Sequence, residues 1–177
     1  FIIGINPVAA QAAVERAGEL GYNAELLSTE IEGDAMEVGR SFVEAAIAVT
    51  RHGSPVRAPA VLVAGEETTV SVRGGGLGGR NREVALAAAE GIEGMASVVA
   101  TLATDSIDGP TVAAGAMVDG STLVRAGALG LDPSEYLFEN DSYIFFQSLG
   151  DAFIAGPTGT NVNDLTIVLV ADSEVSD

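Results

Sequence analysis

Apolar positions in the first fifty residues alternate between strand-like runs and helical spacing. Phe1-Ile2-Ile3-Gly4-Ile5 is an apolar run that ends at Asn6-Pro7 and predicts a strand over 1–6. Val8, Ala12, Val14 and Ala17 then stud a helix that stops near Gly18 to Gly21, with Asn6 read as its cap. Residues 23–28 predict a short strand, Glu30-Ile31-Glu32-Gly33-Asp34 an acidic turn, and 35–50 a long amphipathic helix. Strand, helix, strand, helix is the order of a parallel α/β layer. The run Arg51 to Pro59, with two prolines, breaks the pattern and divides the chain into 1–54 and 58–177. His52, the only histidine, falls at a frayed helix end, where a solvated capping role is expected and not catalysis.

Beyond the boundary, Ala60 to Ala64 reads as a buried strand and Thr68 to Val72 as its hairpin partner, turning through Gly65-Glu66-Glu67. A helix follows over 83–90, then a second buried strand over 97–103. Ala113 to Ala116 is a small-residue segment; helices are expected over 121–129, from Pro133, and over 143–149, the last capped by Asn140-Asp141-Ser142. Leu165 to Val170 is a final apolar strand, and 171–177 a solvated acidic end.

Three polar stretches interrupt this scaffold. Gly74-Gly75-Gly76-Leu77-Gly78-Gly79-Arg80-Asn81 joins a strand to a helix. Its glycines allow positive φ and close approach, and unpaired amides at the helix start suit an anion beside the Arg80 fork. A loop that merely turns, with Asn81 as cap, is the plain alternative. It is not a P-loop, which needs a Lys. Asp105 and Asp108 stand at the end of the 97–103 strand, where open α/β sheets place their chemistry. They could hold Mg²⁺ or accept a hydroxyl proton; turn-making is the alternative. Finally, Gly156 to Asp164 crowds Thr158, Gly159, Thr160, Asn161, Asn163 and Asp164 into nine residues, more than a hairpin needs, and reads as facing a phosphate or sugar.

Composition narrows the classes. A chain of 177 residues without cysteine excludes disulfides, zinc–thiolate sites and thiol catalysis. No apolar run reaches membrane-spanning length and no secretion signal is seen, so a cytoplasmic protein is expected. The net charge is −17 and all eight cations are Arg, which argues against nucleic acid or anionic membrane as partner. An acidic surface without Lys suits a halophile; an Arg-biased genome is the alternative. A first residue of Phe, inside an apparent strand, suggests a piece of a longer polypeptide.

The motifs Gly65 to Val70, Gly78 to Glu83, Thr104-Asp105 with Asp108 to Thr111, Asn140 to Ser142 and Gly156 to Asp164 occur in an order that resembles the C-terminal MOFRL half of the class II glycerate kinases. Residues 1–54 are similar to the closing βαβα of that family's Rossmann-like N-terminal domain. The resemblance covers about residues 60–170, with departures at Ala64, Glu66, Ser106, Val112 and Ala155. It implies a three-layer α/β fold, a mixed sheet with flanking helices, and phosphorylation of D-glycerate at the 2-position by ATP with Mg²⁺. On that reading Arg80 and Asp105 are catalytic, and Asp105 with Asp108 holds metal. Gly75, Gly76, Gly78, Gly79, Asn81, Thr158, Gly159, Thr160, Asn161, Asn163 and Asp164 bind substrate or nucleotide. The family's catalytic Lys would come from outside this chain, which would form one wall of a cleft and be inactive alone; a homodimer is allowed. The alternatives are an NAD(P)-dependent hydroxypyruvate reductase, whose G-x-G-x-x-G spacing fits poorly here, and a non-catalytic binding or oligomerisation domain.

Overall fold

The computed structural model describes residues 5–172. The expected strand over 1–6 lies almost wholly outside that range. Helix α1 (Asn6–Glu19) leads to β1 (Asn23–Asp34), α2 (Ala35–His52) and β2 (Ala60–Thr69). Helix α3 (Arg80–Ala88), β3 (Ser97–Ala103) and β4 (Gly115–Asp119) follow. The chain closes with α4 (Thr122–Ala128), α5 (Pro133–Phe138), α6 (Ser142–Leu149), β5 (Ala152–Phe153) and β6 (Asp164–Val170). One six-stranded mixed sheet runs in the order β1-β2-β6-β3-β4-β5. β1 and β2 are parallel, joined through α2, and the other pairs are antiparallel.

Helices cover both faces, giving the three-layer architecture. Ala10 and Ala17 of α1 pack on Val61, Val63 and Leu165 on one side. On the other, Val38, Phe42, Ala46 and Val49 recur at helical spacing on α2 and join Leu62, Val99, Val168 and Phe145 in the main core. Gly39 lets α2 close on α3, because a Cβ there would overlap the Val84 carbonyl. Asp34 caps α2 by accepting from the Met36 amide at 3.0 Å. At the other end Gly53 takes a left-handed φ of 61°, so His52 sits in a plain helix end. Among the described residues no helix is long and apolar enough to cross a membrane.

Two expectations are corrected. Residues 30–34 are not a turn: β1 runs to Asp34, its polar end laddered to Glu66 through Thr69. Gly65-Glu66-Glu67 is not a hairpin turn either. β2 continues through it because β1 and β6 flank it on both sides, pairing Glu66 with Ile31 and Asp164. The small-residue segment after Ala113, to which the sequence assigned no element, leads into β4, paired along its length with β3.

Candidate active site

Four segments meet where β2 and β3 end and β6 begins: the glycine stretch, the start of α3, the 104–111 turn and the loop before β6. The start of α3 is the position read as an open anion cradle. It is filled from within. The Asp108 carboxylate, 2% exposed, accepts from the amides of Asn81 at 3.2 Å and Arg82 at 3.1 Å. Gly79 sits at the helix cap with extended backbone, where a Cβ would overlap that carboxylate. None of Gly74, Gly75, Gly76, Gly78 or Gly79 adopts positive φ. Gly74 and Gly76 instead press on the backbone at Glu139 and Asp141, and Gly78 on Asn140 and Glu83; Gly75 faces open space. The glycines serve close approach to the chain itself. The open cradle is therefore a correction, and so is Asp108 as a metal ligand, since both its oxygens face α3.

Asn140 and Asp141 do not cap α6 through their side chains. Asn140 Oδ1 accepts from the amides of Arg73 at 2.6 Å and Gly74 at 3.0 Å, while its Nδ2 donates to Glu83 Oε1 at 2.9 Å. Asp141 Oδ1 accepts from the Leu77 amide at 2.9 Å. The turn that carries them is the seat of the glycine stretch. Beneath it lies Arg82, 0% exposed, which donates to the carbonyls of Gly78 and Asp108, both at 2.8 Å, and to the Thr111 hydroxyl. Its guanidinium stands 5.2 Å from the Tyr143 ring centroid.

Arg80 points the other way, half-exposed at the mouth of the site. Its Nε donates to the Asp164 carboxylate, itself 2% exposed, and Nη1 lies 4.0 Å from Glu67. Burial pulls Arg80 down, but the hydrogen bond and charge of Asp164, with Glu67, leave it raised overall. Burial raises Asp164, and Arg80 only partly opposes this. Asn163 Nδ2 donates to Glu67 at 3.1 Å, and Asn161 Nδ2 to Asp105 Oδ2 at 2.9 Å. The Asn163 amide donates to Asn161 Oδ1 at 3.1 Å. Arg80, Asp105, Asn161, Asn163 and Asp164 are thus drawn into one network.

The loop before β6 uses much of its polarity on itself. Thr158 donates to the Thr104 carbonyl at 2.6 Å, and Thr104 in turn donates to the Asn163 carbonyl and accepts from the Val162 amide, both at 2.8 Å. Gly156 and Gly159 take positive φ there, and Gly159 and Thr160 face solvent. Asn6 is not a cap: its Nδ2 donates to the carbonyls of Val162 and Asp164, both at 3.0 Å, tying α1 to the loop. Thr104, Asn6, Asn140 and Arg82 hold these segments together, a part that the sequence did not assign to them; Thr104, Arg82 and Asn140 lie inside the sequence motifs, and Asn6 stands at the expected cap.

Beside Arg80 opens a cleft of about 460 Å³, lined by Thr68, Gly76, Gly79, Arg80, Glu83 and Ile107 among others. Burial pushes the Glu83 carboxyl up, opposed by the Asn140 hydrogen bond. The buried Thr68 hydroxyl has no hydrogen-bond partner among the described residues. Among the described residues no three Asp, Glu or His side chains converge as metal ligands. With Asp108 turned inward, the two-carboxylate magnesium site does not fit.

This three-layer α/β domain gathers polar side chains at one end of the sheet, around a cleft, the position where open α/β folds commonly place ligand sites. The chain belongs to the MOFRL family, which it matches over residues 60–164. It is 48% identical over 155 residues to the D-glycerate 2-kinase of Thermotoga maritima, covering 87% of this chain and 37% of that protein. A putative hydroxypyruvate reductase of Agrobacterium vitis is 40% identical over 166 residues, 92% of this chain and 43% of that one. The crystal structure of a Thermotoga maritima glycerate kinase superposes with a TM-score of 0.93 at 44% identity, over 96% of this chain and 41% of that one. The chain therefore spans about two fifths of the length of these relatives.

Proposed function

We propose that this chain is part of a glycerate 2-kinase, which phosphorylates D-glycerate to 2-phosphoglycerate with ATP. The observation that carries the reading is Arg80, held half-exposed between Asp164 and Glu67 at the mouth of the cleft. Phosphoryl transfer asks a protein for positioning and charge neutralisation more than for covalent chemistry. Arg80 offers the remaining edge of its fork to a phosphate or to the substrate carboxylate. Asp105, half-buried and fixed by Asn161, is the group to accept the proton of the substrate hydroxyl. Thr158, Gly159, Thr160, Asn161, Asn163 and Asp164 order the ligand from one side, and the backbone of Gly75, Gly76, Gly78 and Gly79 borders it on the other. ATP is the phosphoryl donor in this reading. In this reading any Mg²⁺ arrives with its phosphates, since among the described residues no three carboxylate or histidine side chains gather as a cage.

The division into a 1–54 piece of a Rossmann-like domain and a 58–177 MOFRL-like domain belongs to the same proposal. The family match beginning at residue 60 supports it. The other wall of the cleft then comes from the part of the relatives that this chain does not cover. A dinucleotide-dependent reductase is the weaker reading, because the helix start that would seat a pyrophosphate is filled by Asp108. A coupled ADP-release assay with D-glycerate, ATP and Mg²⁺ tests the proposal. Turnover is expected from a polypeptide of the relatives' length carrying this sequence, and none from the 177 residues alone. NADH oxidation with hydroxypyruvate, and no ADP release, would establish the reductase instead.

A cytoplasmic, salt-adapted setting is also part of this reading, supported by the charge of −17 and the absence of Lys. At 1 M salt the Debye length is about 3 Å, so surface repulsion is screened. The thermal midpoint is expected to rise from low salt into molar KCl. A midpoint that stays level or falls removes the halophile reading.

A further inference from the structure

Glu66 takes no part in the chemistry above, yet it lies directly beneath it. Glu66 on β2 and Asp164 on β6 are cross-strand partners, and each is 2% exposed. Two carboxylates in that register, shut away from water, cannot both ionise cheaply. The charged and titratable groups that bear on Glu66 are Asp164 from β6, Arg80 from α3 and Asp108 from the turn after β3. Arg80 is the one cation of that set, and its Nε is taken by Asp164. Thr166, also on β6, donates its hydroxyl to Glu66 Oε1, while Oε2 is buried without a hydrogen-bond partner among the described residues. An ionised carboxylate with an oxygen left bare is the most costly state such a site can hold.

We propose that Glu66 is a positioning residue, kept as a neutral carboxylic acid so that Asp164 is the single buried anion that aims Arg80, with Glu67 paired to that guanidinium only from the exposed side. When Glu66 loses its proton, two adjacent carboxylates compete for one guanidinium, and the positive potential that Arg80 offers to an anion falls. Burial places this change near neutrality, raising Glu66 from 4.5 to about 7, with the Thr166 hydrogen bond opposing and Asp164 adding to the rise. The functional meaning rests on the reading of Arg80 as the anion-binding group; the protonation state does not, so the two can fail separately.

The test uses the chain itself, labelled for carboxyl ¹³C and arginine ¹⁵Nε NMR in molar KCl, titrated from pH 4 to 9. A carboxyl resonance with a midpoint near 7 is expected in the wild type and absent in Glu66→Gln. The Arg80 Nε–H signal is expected to shift with that same midpoint and to lose the dependence in Glu66→Gln. Thr166→Val, which removes the hydroxyl donor, is expected to move the midpoint further up. A Glu66 midpoint in the ordinary range of about 4–5 would overturn the proposal. So would an Arg80 signal that ignores the Glu66 titration, or one that still titrates near 7 without Glu66.

Discussion

Replacing Arg82 by alanine is expected to remove about 3–5 kcal/mol of stability, the cost of stranding a buried charge without its partner. Arg82 is 0% exposed and holds four groups together: two backbone carbonyls, the Thr111 hydroxyl and the Asp108 carboxylate, whose Oδ2 lies 3.5 Å from Nε. Asp108 is at the same time the acceptor for the first amides of α3. Removing the guanidinium leaves Asp108 a buried anion with no charged partner, held by the α3 amides alone, and loosens the glycine stretch and the 104–111 turn together. For a chain of this size each kcal/mol moves the thermal midpoint by roughly 2–4 °C, so a drop of about 10 °C is expected. Arg82→Met combined with Asp108→Asn removes both charges and is expected to recover more than half of the loss. Thermal unfolding in molar KCl checks both variants. A drop under about 2 °C for Arg82→Ala would mean that the buried pair contributes little to the fold.

Arg82 also shows why part of this site was not legible in the sequence. Arg80 and Arg82 stand two residues apart at the start of one helix, and nothing in their spacing says that one faces the cleft and the other the core. The distinction is made by partners 29 and 84 residues away, Thr111 and Asp164. The same holds for Asp105 and Asp108. Both follow a buried strand, but Asp108 is drawn under α3 by amides whose position depends on how α3 docks. Local pattern did suffice where local pattern decides. The spacing of Val38, Phe42, Ala46 and Val49 located α2, and the apolar runs at 97–103 and 165–170 located β3 and β6.

It failed where tertiary pairing overrides composition. Gly65-Glu66-Glu67 has the makeup of a turn, yet strands on both sides hold it extended, and Thr166 supplies the hydrogen bond that lets Glu66 be buried. Gly115-Ala116-Met117-Val118-Asp119 has few β-branched residues and becomes a strand because β3 offers it an edge. The insertion of β6 between β2 and β3 sets Thr166 against Glu66, 100 residues away, and no local signal carries that order. The same insertion sets Asp164 beside Glu66 and under Arg80, so the polar end of the sheet is a product of its topology.

Arg80 is where that topology meets the proposed chemistry, and its substitution should have the largest effect on activity. In a polypeptide of the relatives' length, Arg80→Ala is expected to lower kcat/KM by about 10²–10³-fold, the usual loss when a charge-stabilising donor leaves a transition state. Arg80→Lys separates the charge from the fork. An ammonium group keeps the positive charge near Asp164 but cannot donate from Nε to Asp164 while presenting two further N–H groups to an oxyanion. A loss of at least about tenfold is therefore expected for Lys as well, even though its thermal midpoint should stay closer to the wild type than that of Arg80→Ala. The alanine variant leaves Asp164, 2% exposed, without its ion pair, so some of its loss will come from a looser loop before β6. Measuring midpoints and steady-state kinetics on both variants divides the two contributions. If both retain near-wild-type kcat/KM while only Arg80→Ala is destabilised, the Arg80–Asp164 pair is a structural tie between α3 and β6, and the anion must be held elsewhere in the cleft.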